Sequence, residues 1–259
     1  MAVDRDLQEG NLGETARFPW LGVLRVHIHE AASLKIALTG IVLVRERYAV
    51  ANADEISRIP RHIFKEDSQA MFVPTNGKPW YSRLIDYITH PEYEFSTYNT
   101  IALVELDSEE GNNYLLFPFK PICWPGYSFN TSNELYAVGY TDERQLLEKV
   151  LYKLQYISQE LCAEFYNRSS LQSGTIISPT NLQCGFAANN RGNCVWDSGM
   201  VMISNSTGAW MLIGFGLRGP GCAAPSRFIQ MFSYLPWIQT ITSIESIYDD
   251  FRKRNKRDE

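Results

Sequence analysis

The chain has 259 residues, with 24 basic against 29 acidic side chains and a formal net charge of −5. Apolar residues make up 45% and charged residues 20%, which supplies a core and excludes wholesale disorder. The basic excess that nucleic-acid binding needs is missing, and no apolar run of about 18 residues exists to cross a membrane as a helix. The length suits one large domain or two small ones, and an all-β protein of two packed barrels reaches this size as one unit.

In chain order, strand patterns dominate. Leu24, Val26 and Ile28 alternate with Arg25, His27 and His29, the signature of a half-buried strand. Ile36 to Val44 is a second apolar run, and Tyr114 to Phe117 and Leu135 to Val138 are shorter ones. Val150, Tyr152, Leu154 and Tyr156 alternate again. Ser158 to Tyr166 reads as a short helix. Val201 to Ile203, a turn at Asn205-Ser206-Thr207-Gly208, and Trp210 to Phe215 read as a hairpin. Leu235, Ile238, Ile241, Ile244 and Ile247 are spaced for an amphipathic helix over Ser233 to Phe251. The basic run Arg252 to Arg257 complements the dipole at its C-terminal end. Short strands at such intervals predict a sandwich or barrel.

Five cysteines are present, Cys123, Cys162, Cys184, Cys194 and Cys222, and none forms a CxxC pair, which argues against a zinc ribbon. Their spacing suits disulfides in a secreted domain, and the odd count leaves one free or bonded to another chain. Sequons for N-glycosylation occur at Asn130, Asn167 and Asn205. Together these features predict an extracellular protein. The N-terminus MAVDRDLQEG has no apolar core, so no signal peptide is visible and the start is expected to be trimmed or wrongly assigned. His27 and His29 lie two apart on one strand face, but no third ligand accompanies them, and neither a metal nor a cofactor is expected.

Several segments resemble, in order, those of the trypsin-like serine proteases. Leu7-Gln8-Glu9-Gly10 stands where that family has IVGG, and Phe18-Pro19-Trp20 matches its FPW. His90-Pro91-Glu92-Tyr93 and Asn99-Thr100-Ile101-Ala102-Leu103 resemble HPxY and NDIAL. Pro121-Ile122-Cys123 resembles PIC, and Asn193-Cys194-Val195-Trp196-Asp197-Ser198-Gly199 resembles SCQGDSG. Gly214 to Gly219 resembles GIVSWG, Gly221-Cys222-Ala223 matches GCA, and Tyr234 to Ile238 resembles the closing YxxWI. The resemblance implies an all-β fold of two six-stranded antiparallel β-barrels with a C-terminal helix. It divides the chain into an N-terminal remnant at 1–6, a protease-like domain at 7–240 and a helical, charged tail at 241–259. It also implies disulfides Cys162–Cys184 and Cys194–Cys222. Cys123 is then unpaired, or bonded to a segment outside this chain.

Acyl transfer by serine needs a base, an acid that orients it, and donors for the oxyanion. Ser198 takes the nucleophile position. The base position falls on Asp54, within one residue, in Asn52-Ala53-Asp54-Glu55, and no histidine lies in that window. The orienting aspartate is replaced by Thr100. Trp196 stands where a glycine donates to the oxyanion, and Met200 replaces another glycine. His62, downstream of the base position, is a distant substitute. In the specificity pocket Gly192 takes the place of the charge-selecting aspartate, and Leu217 and Arg218 replace serine and tryptophan before the retained Gly219. Arg218 either opposes a basic substrate side chain or is simply solvated. No arginine directly precedes Leu7, so the cut that frees an N-terminus for Asp197 is expected to be disabled. The resemblance thus implies a secreted, catalytically inactive homologue. Such proteins, common in insects and some with clip domains, are cofactors in proteolytic or immune cascades. Its partners would be proteins, such as cascade proteases or their substrates. The rival readings are a residually active endopeptidase using Ser198 and a structural scaffold of seminal fluid or venom.

Overall fold

The computed structural model describes residues 12–13, 18–30, 33–73, 79–96, 98–107, 109–110, 113–114, 117, 119–124, 134–141, 148–169, 182–187, 199–205, 208–217, 219 and 224–243. After a two-residue strand β1 (Leu12–Gly13) come β2 (Leu21–Glu30), β3 (Ser33–Arg45) and β4 (Tyr48–Asn52). Two short helices follow, α1 (Ala53–Ile56) and α2 (Arg61–Glu66), and then β5 (Ser68–Phe72), β6 (Trp80–Thr89) and β7 (Ile101–Leu106). Strands β2-β3-β4-β7-β6-β5 close into a barrel in which every pairing is antiparallel. The sequence dictates this locally. In β2, Leu24 and Val26 point inward and are buried, while Arg25 and His27 stay half-exposed. In β5 the same alternation buries Ser68, Ala70 and Phe72. Gly22 carries no side chain because a Cβ there would sit 2.5 Å from the Phe72 ring.

A small hairpin, β8 (Glu109–Glu110) with β9 (Asn113–Tyr114), precedes the linker to the second barrel. That linker is bonded to both sides: Ile122 N–H donates to Leu43 O, and Leu212 N–H donates to Cys123 O. The second barrel uses β10 (Leu135–Thr141), β11 (Glu148–Ile157), β12 (Leu182–Ala187), β13 (Val201–Ser204), β14 (Met211–Gly216) and β15 (Ser226–Gln230), with α3 (Gln159–Arg168) between β11 and β12. Its ring runs β11-β10-β13-β14-β15-β12 and closes through β11–β12, with β1 added at the edge of β11. The fold expected from the resemblance is therefore present: two six-stranded antiparallel barrels and a closing helix. The C-terminal segment begins as a 3-10 turn at Met231–Tyr234 and continues as helix over 235–243; the remainder of the helix expected to Phe251 lies outside the described residues. The helix expected from Ser158 to Tyr166 is α3, capped by the Ser158 hydroxyl, which accepts from Leu161 N–H.

Of the apolar run expected from Tyr114 to Phe117, Tyr114 lies in β9, and residues 115 and 116 lie outside the described residues. Helices α1 and α2 were not foreseen. Both are one turn or little more, too short for a helical period to show in sequence.

The barrels meet along a seam of close backbone packing and buried hydrogen bonds. Gly40 on β3 packs its Cα against Gly199, and a Cβ on Gly40 would lie 2.8 Å from Gly199 Cα. The Tyr140 hydroxyl donates to Leu21 O, and the fully buried Lys149 amine donates to Phe18 O. Burial pushes the Lys149 ammonium down to about 7 and pushes the Tyr140 phenol well above its ordinary value. Tyr234 crosses from the C-terminal segment to donate to Asn99 Oδ1 of the first barrel. Within the second barrel Cys162 and Cys184 are bridged, fastening α3 to β12. Cys123 is exposed and unbridged among the described residues. Cys194 and Cys222 lie outside the described residues, as do Asn130 and Asp197. Asn167 is exposed in the last turn of α3, and Asn205 follows β13 in the hairpin loop.

Candidate functional site: the turn between β4 and α1

Strand β4 ends at Asn52, whose side chain accepts from Asp54 N–H at 2.9 Å and so caps α1. Asp54 is thereby fixed in the first turn of that helix. Ala53 N–H donates to Thr100 O at 3.0 Å, so the chain before β7 lies against the chain entering α1. The structure thus brings together the segments carrying Asp54 and Thr100, the two positions that the resemblance assigns to the base and its orienting acid. Thr100 is buried at 5% exposure.

The carboxylate of Asp54 is already engaged. Its Oδ1 accepts from the Tyr93 hydroxyl at 2.9 Å and from Ser96 N–H at 2.9 Å. Tyr93 Oη also lies 3.0 Å from Ser57 Oγ, one turn along from Asp54. Burial pushes the Tyr93 phenol up; the Ser57 hydroxyl opposes this, and the Asp54 carboxylate adds to it. The 94–98 segment is a tight loop closed by reciprocal Glu94 and Tyr98 backbone bonds, with Ser96 at φ 59. Arg58 stacks its guanidinium 3.8 Å over the Phe95 ring and holds the loop from outside. Asp54 therefore serves as the acceptor of a knot that ties α1 to the loop before β7. Both hydrogen bonds fall on one carboxylate oxygen, Oδ1, which fixes the orientation of the Asp54 side chain towards the 94–98 loop.

None of the four histidines stands at this turn. Gly40 lies opposite Val23 on β2 and packs on Gly199. His27 is four residues further along β2, about 13 Å at strand rise, and His29 lies beyond it. His62 is exposed on α2. His90 sits edge-on between Tyr234, 5.5 Å away, and Trp237, 5.1 Å away. Its Nδ1 accepts from Glu92 N–H, and burial lowers its pKa despite the Glu92 charge. No group of three or more His, Cys, Asp and Glu is arranged to hold a metal among the described residues.

Ser198, Trp196, Gly192 and Arg218 lie outside the described residues. Leu217 and Gly219 are half-buried, and Leu217 N–H donates to Arg227 O. The partners of Asp54 were not legible beforehand. In the sequence Tyr93 is only the last residue of the His90-Pro91-Glu92-Tyr93 motif, 39 positions from Asp54. The one local signal was Asn52, a good cap directly before the altered turn.

The family profile described as Trypsin matches residues 9–238. Among known proteins, the chain is similar to "CLIP domain-containing serine protease B15" of Anopheles gambiae, 27% identical over 174 residues. That alignment covers 61% of this chain and 45% of the relative, so the chain matches less than half of that protein's length.

Proposed function

The chain belongs to the trypsin family of serine proteases, and from that premise we propose that it is a catalytically inactive member which acts by binding protein partners. The observation that carries this reading is the engaged carboxylate at the base position: Asp54 accepts from Tyr93 and Ser96 where the mechanism requires an imidazole. Thr100 in place of the orienting aspartate removes a second member of the machinery, and loss of even one such member costs up to about a millionfold in turnover. Trp196 at an oxyanion position, Gly192 in the pocket, and Leu217 and Arg218 beside the retained Gly219 remodel the substrate side. Ser198 is then vestigial.

The bridged Cys162 and Cys184 and the sequons at Asn130, Asn167 and Asn205 support an extracellular setting. No helix among the described residues is long and apolar enough to cross a membrane. Similarity to a CLIP domain-containing protease supports a place in a proteolytic or immune cascade, as a regulatory cofactor for proteases or their substrates. Incubation of the native protein with a fluorophosphonate probe and with chromogenic arginyl, phenylalanyl and alanyl substrates tests the reading. Ser198 should stay unlabelled and no substrate should turn over. Stoichiometric labelling of Ser198 would instead make the protein an endopeptidase with an unfamiliar base.

A further inference from the structure

Beyond catalysis, the outer face of the first barrel carries a row of side chains that only the strand register reveals. Leu38 on β3 lies opposite Arg25 on β2, Arg25 opposite Gln69 on β5, and Gln69 opposite Arg83 on β6. Directly opposed residues in antiparallel strands project from the same face. The flanking Leu24, Val26, Ala70, Ser82 and Leu84 are all buried in the barrel, so the row itself faces outward. It spans three strand spacings, about 14 Å, the length of about four extended residues.

Among the described residues, neither Arg25 nor Arg83 forms an ion pair, whereas the neighbouring cations Arg47, Arg61 and Lys65 are each spent on a carboxylate. Two unneutralised guanidiniums thus flank the Gln69 amide in a chain whose net charge is −5. Apolar surface is interleaved with them. Leu38 is 41% exposed and Tyr81 is 46% exposed, the latter opposite half-buried Met71 in the adjoining row. Leu38 is two residues from Gly40, so the row begins at the rim of the cleft between the barrels.

We propose that this face is a docking surface for an extended acidic peptide segment of a protein partner, its carboxylates paired with Arg25 and Arg83 and its apolar side chains covering Leu38 and Tyr81. Guanidiniums pair with carboxylates through two parallel hydrogen bonds, and Gln69 between them supplies a donor and an acceptor to a peptide backbone. A sulfated polysaccharide would satisfy the arginines but has nothing to cover the leucine and the tyrosine ring, which is why a peptide fits better. The inference rests on register and charge, so it holds whether or not Ser198 reacts.

The test uses the full chain and a fluorescein-labelled peptide, Glu-Leu-Glu-Tyr-Glu-Leu-Glu, followed by polarisation. Binding should saturate, weaken as salt rises, and fall at least about tenfold in the double variant Arg25→Gln/Arg83→Gln. Arg25→Lys/Arg83→Lys, which keeps the charge, should stay within about threefold to tenfold of the parent. Lys153→Gln, on the second barrel, should bind as the parent does. Equal affinity for a peptide with every Glu replaced by Gln would overturn the proposal, as would unchanged binding by the double glutamine variant with its thermal midpoint retained. Displacement of the peptide by a heparin-derived hexasaccharide of equal or higher affinity would overturn the choice of a peptide. Fluorophosphonate labelling reads the state of Ser198 separately, so either idea can fail alone.

Discussion

The two barrels are built alike and secured differently. The second is cross-linked by Cys162–Cys184 beneath α3, and Tyr166 donates to Pro225 O beside that bridge. The described part of the first contains no cysteine bridge and relies on hydrogen bonds converging on Asp54 at its cleft end. In that barrel the bonds gather where β4 passes into α1, the turn proposed above to have lost its catalytic base. Asn52 caps α1, Thr100 O receives Ala53 N–H, and the Asp54 carboxylate accepts from Tyr93 and Ser96. The difference teaches that two barrels of one topology can be secured by unlike means, a covalent bridge in one and converging hydrogen bonds in the other.

That contrast can be broken at its seam with the largest effect. The buried Lys149 amine is held near pH 7 by burial, while in the unfolded chain it titrates at its ordinary value of 10.5. Between those values the unfolded state binds more protons, so stability should rise with pH, at up to about 1.4 kcal/mol per pH unit. Below pH 7 both states are protonated and this contribution is flat. Lys149→Met should abolish the slope, as read by denaturant melts from pH 6.5 to 10.

Cys162→Ser/Cys184→Ser should cost about 3 kcal/mol and lower the thermal midpoint of the second barrel ahead of the first. Equal loss in both barrels, resolved by hydrogen exchange, would erase the distinction between them. Asp54→Ala should cost about 2 kcal/mol, because Tyr93 and Ser96 lose their shared acceptor, and should speed amide exchange at Ser96. Asp54→Asn, which keeps one acceptor oxygen, should lose less.

The smallest effect belongs to the exposed cluster of Asp86 with Arg61 and Lys65. Partial burial works to raise the Asp86 pKa, but Tyr87 N–H and the two cations hold it below the usual carboxylate value. Solvent screens the site, so Asp86→Asn should cost under about 1 kcal/mol, with the difference vanishing as pH falls below the carboxylate range.

Much of the architecture was legible because alternation survives wherever one face of a strand meets the core. Leu24 and Val26 against Arg25 and His27 is such a case, and the hairpin around Asn205 is another. The helix at α3 was legible through Ser158 and the segment it caps. Helices α1 and α2 were not, since a run such as Ala53–Ile56 completes barely one turn and is stabilised by Asn52 and Thr100 rather than by its own periodicity. The motifs around Asp54 and Thr100 draw attention to both positions, and the backbone bond from Ala53 to Thr100 puts the two segments side by side. What Asp54 bonds to could not be read from the sequence, because Tyr93 and Ser96 reach it from a distant loop. The arginine row was equally hidden: Arg25 and Arg83 come from strands that are not neighbours, and β5 between them sets their spacing.

The contact between Gly40 and Gly199 bears on how sequence motifs are read. Gly199 has φ +78, and a Cβ there would fall 2.3 Å from Gly40 Cα, so both positions exclude every larger residue on steric grounds alone. The Ser-Gly pair that makes this stretch look like a nucleophile signature therefore owes its glycine to the fit between two domains. A letter of such a signature can be held in place by packing alone, so its presence by itself does not report on the reaction.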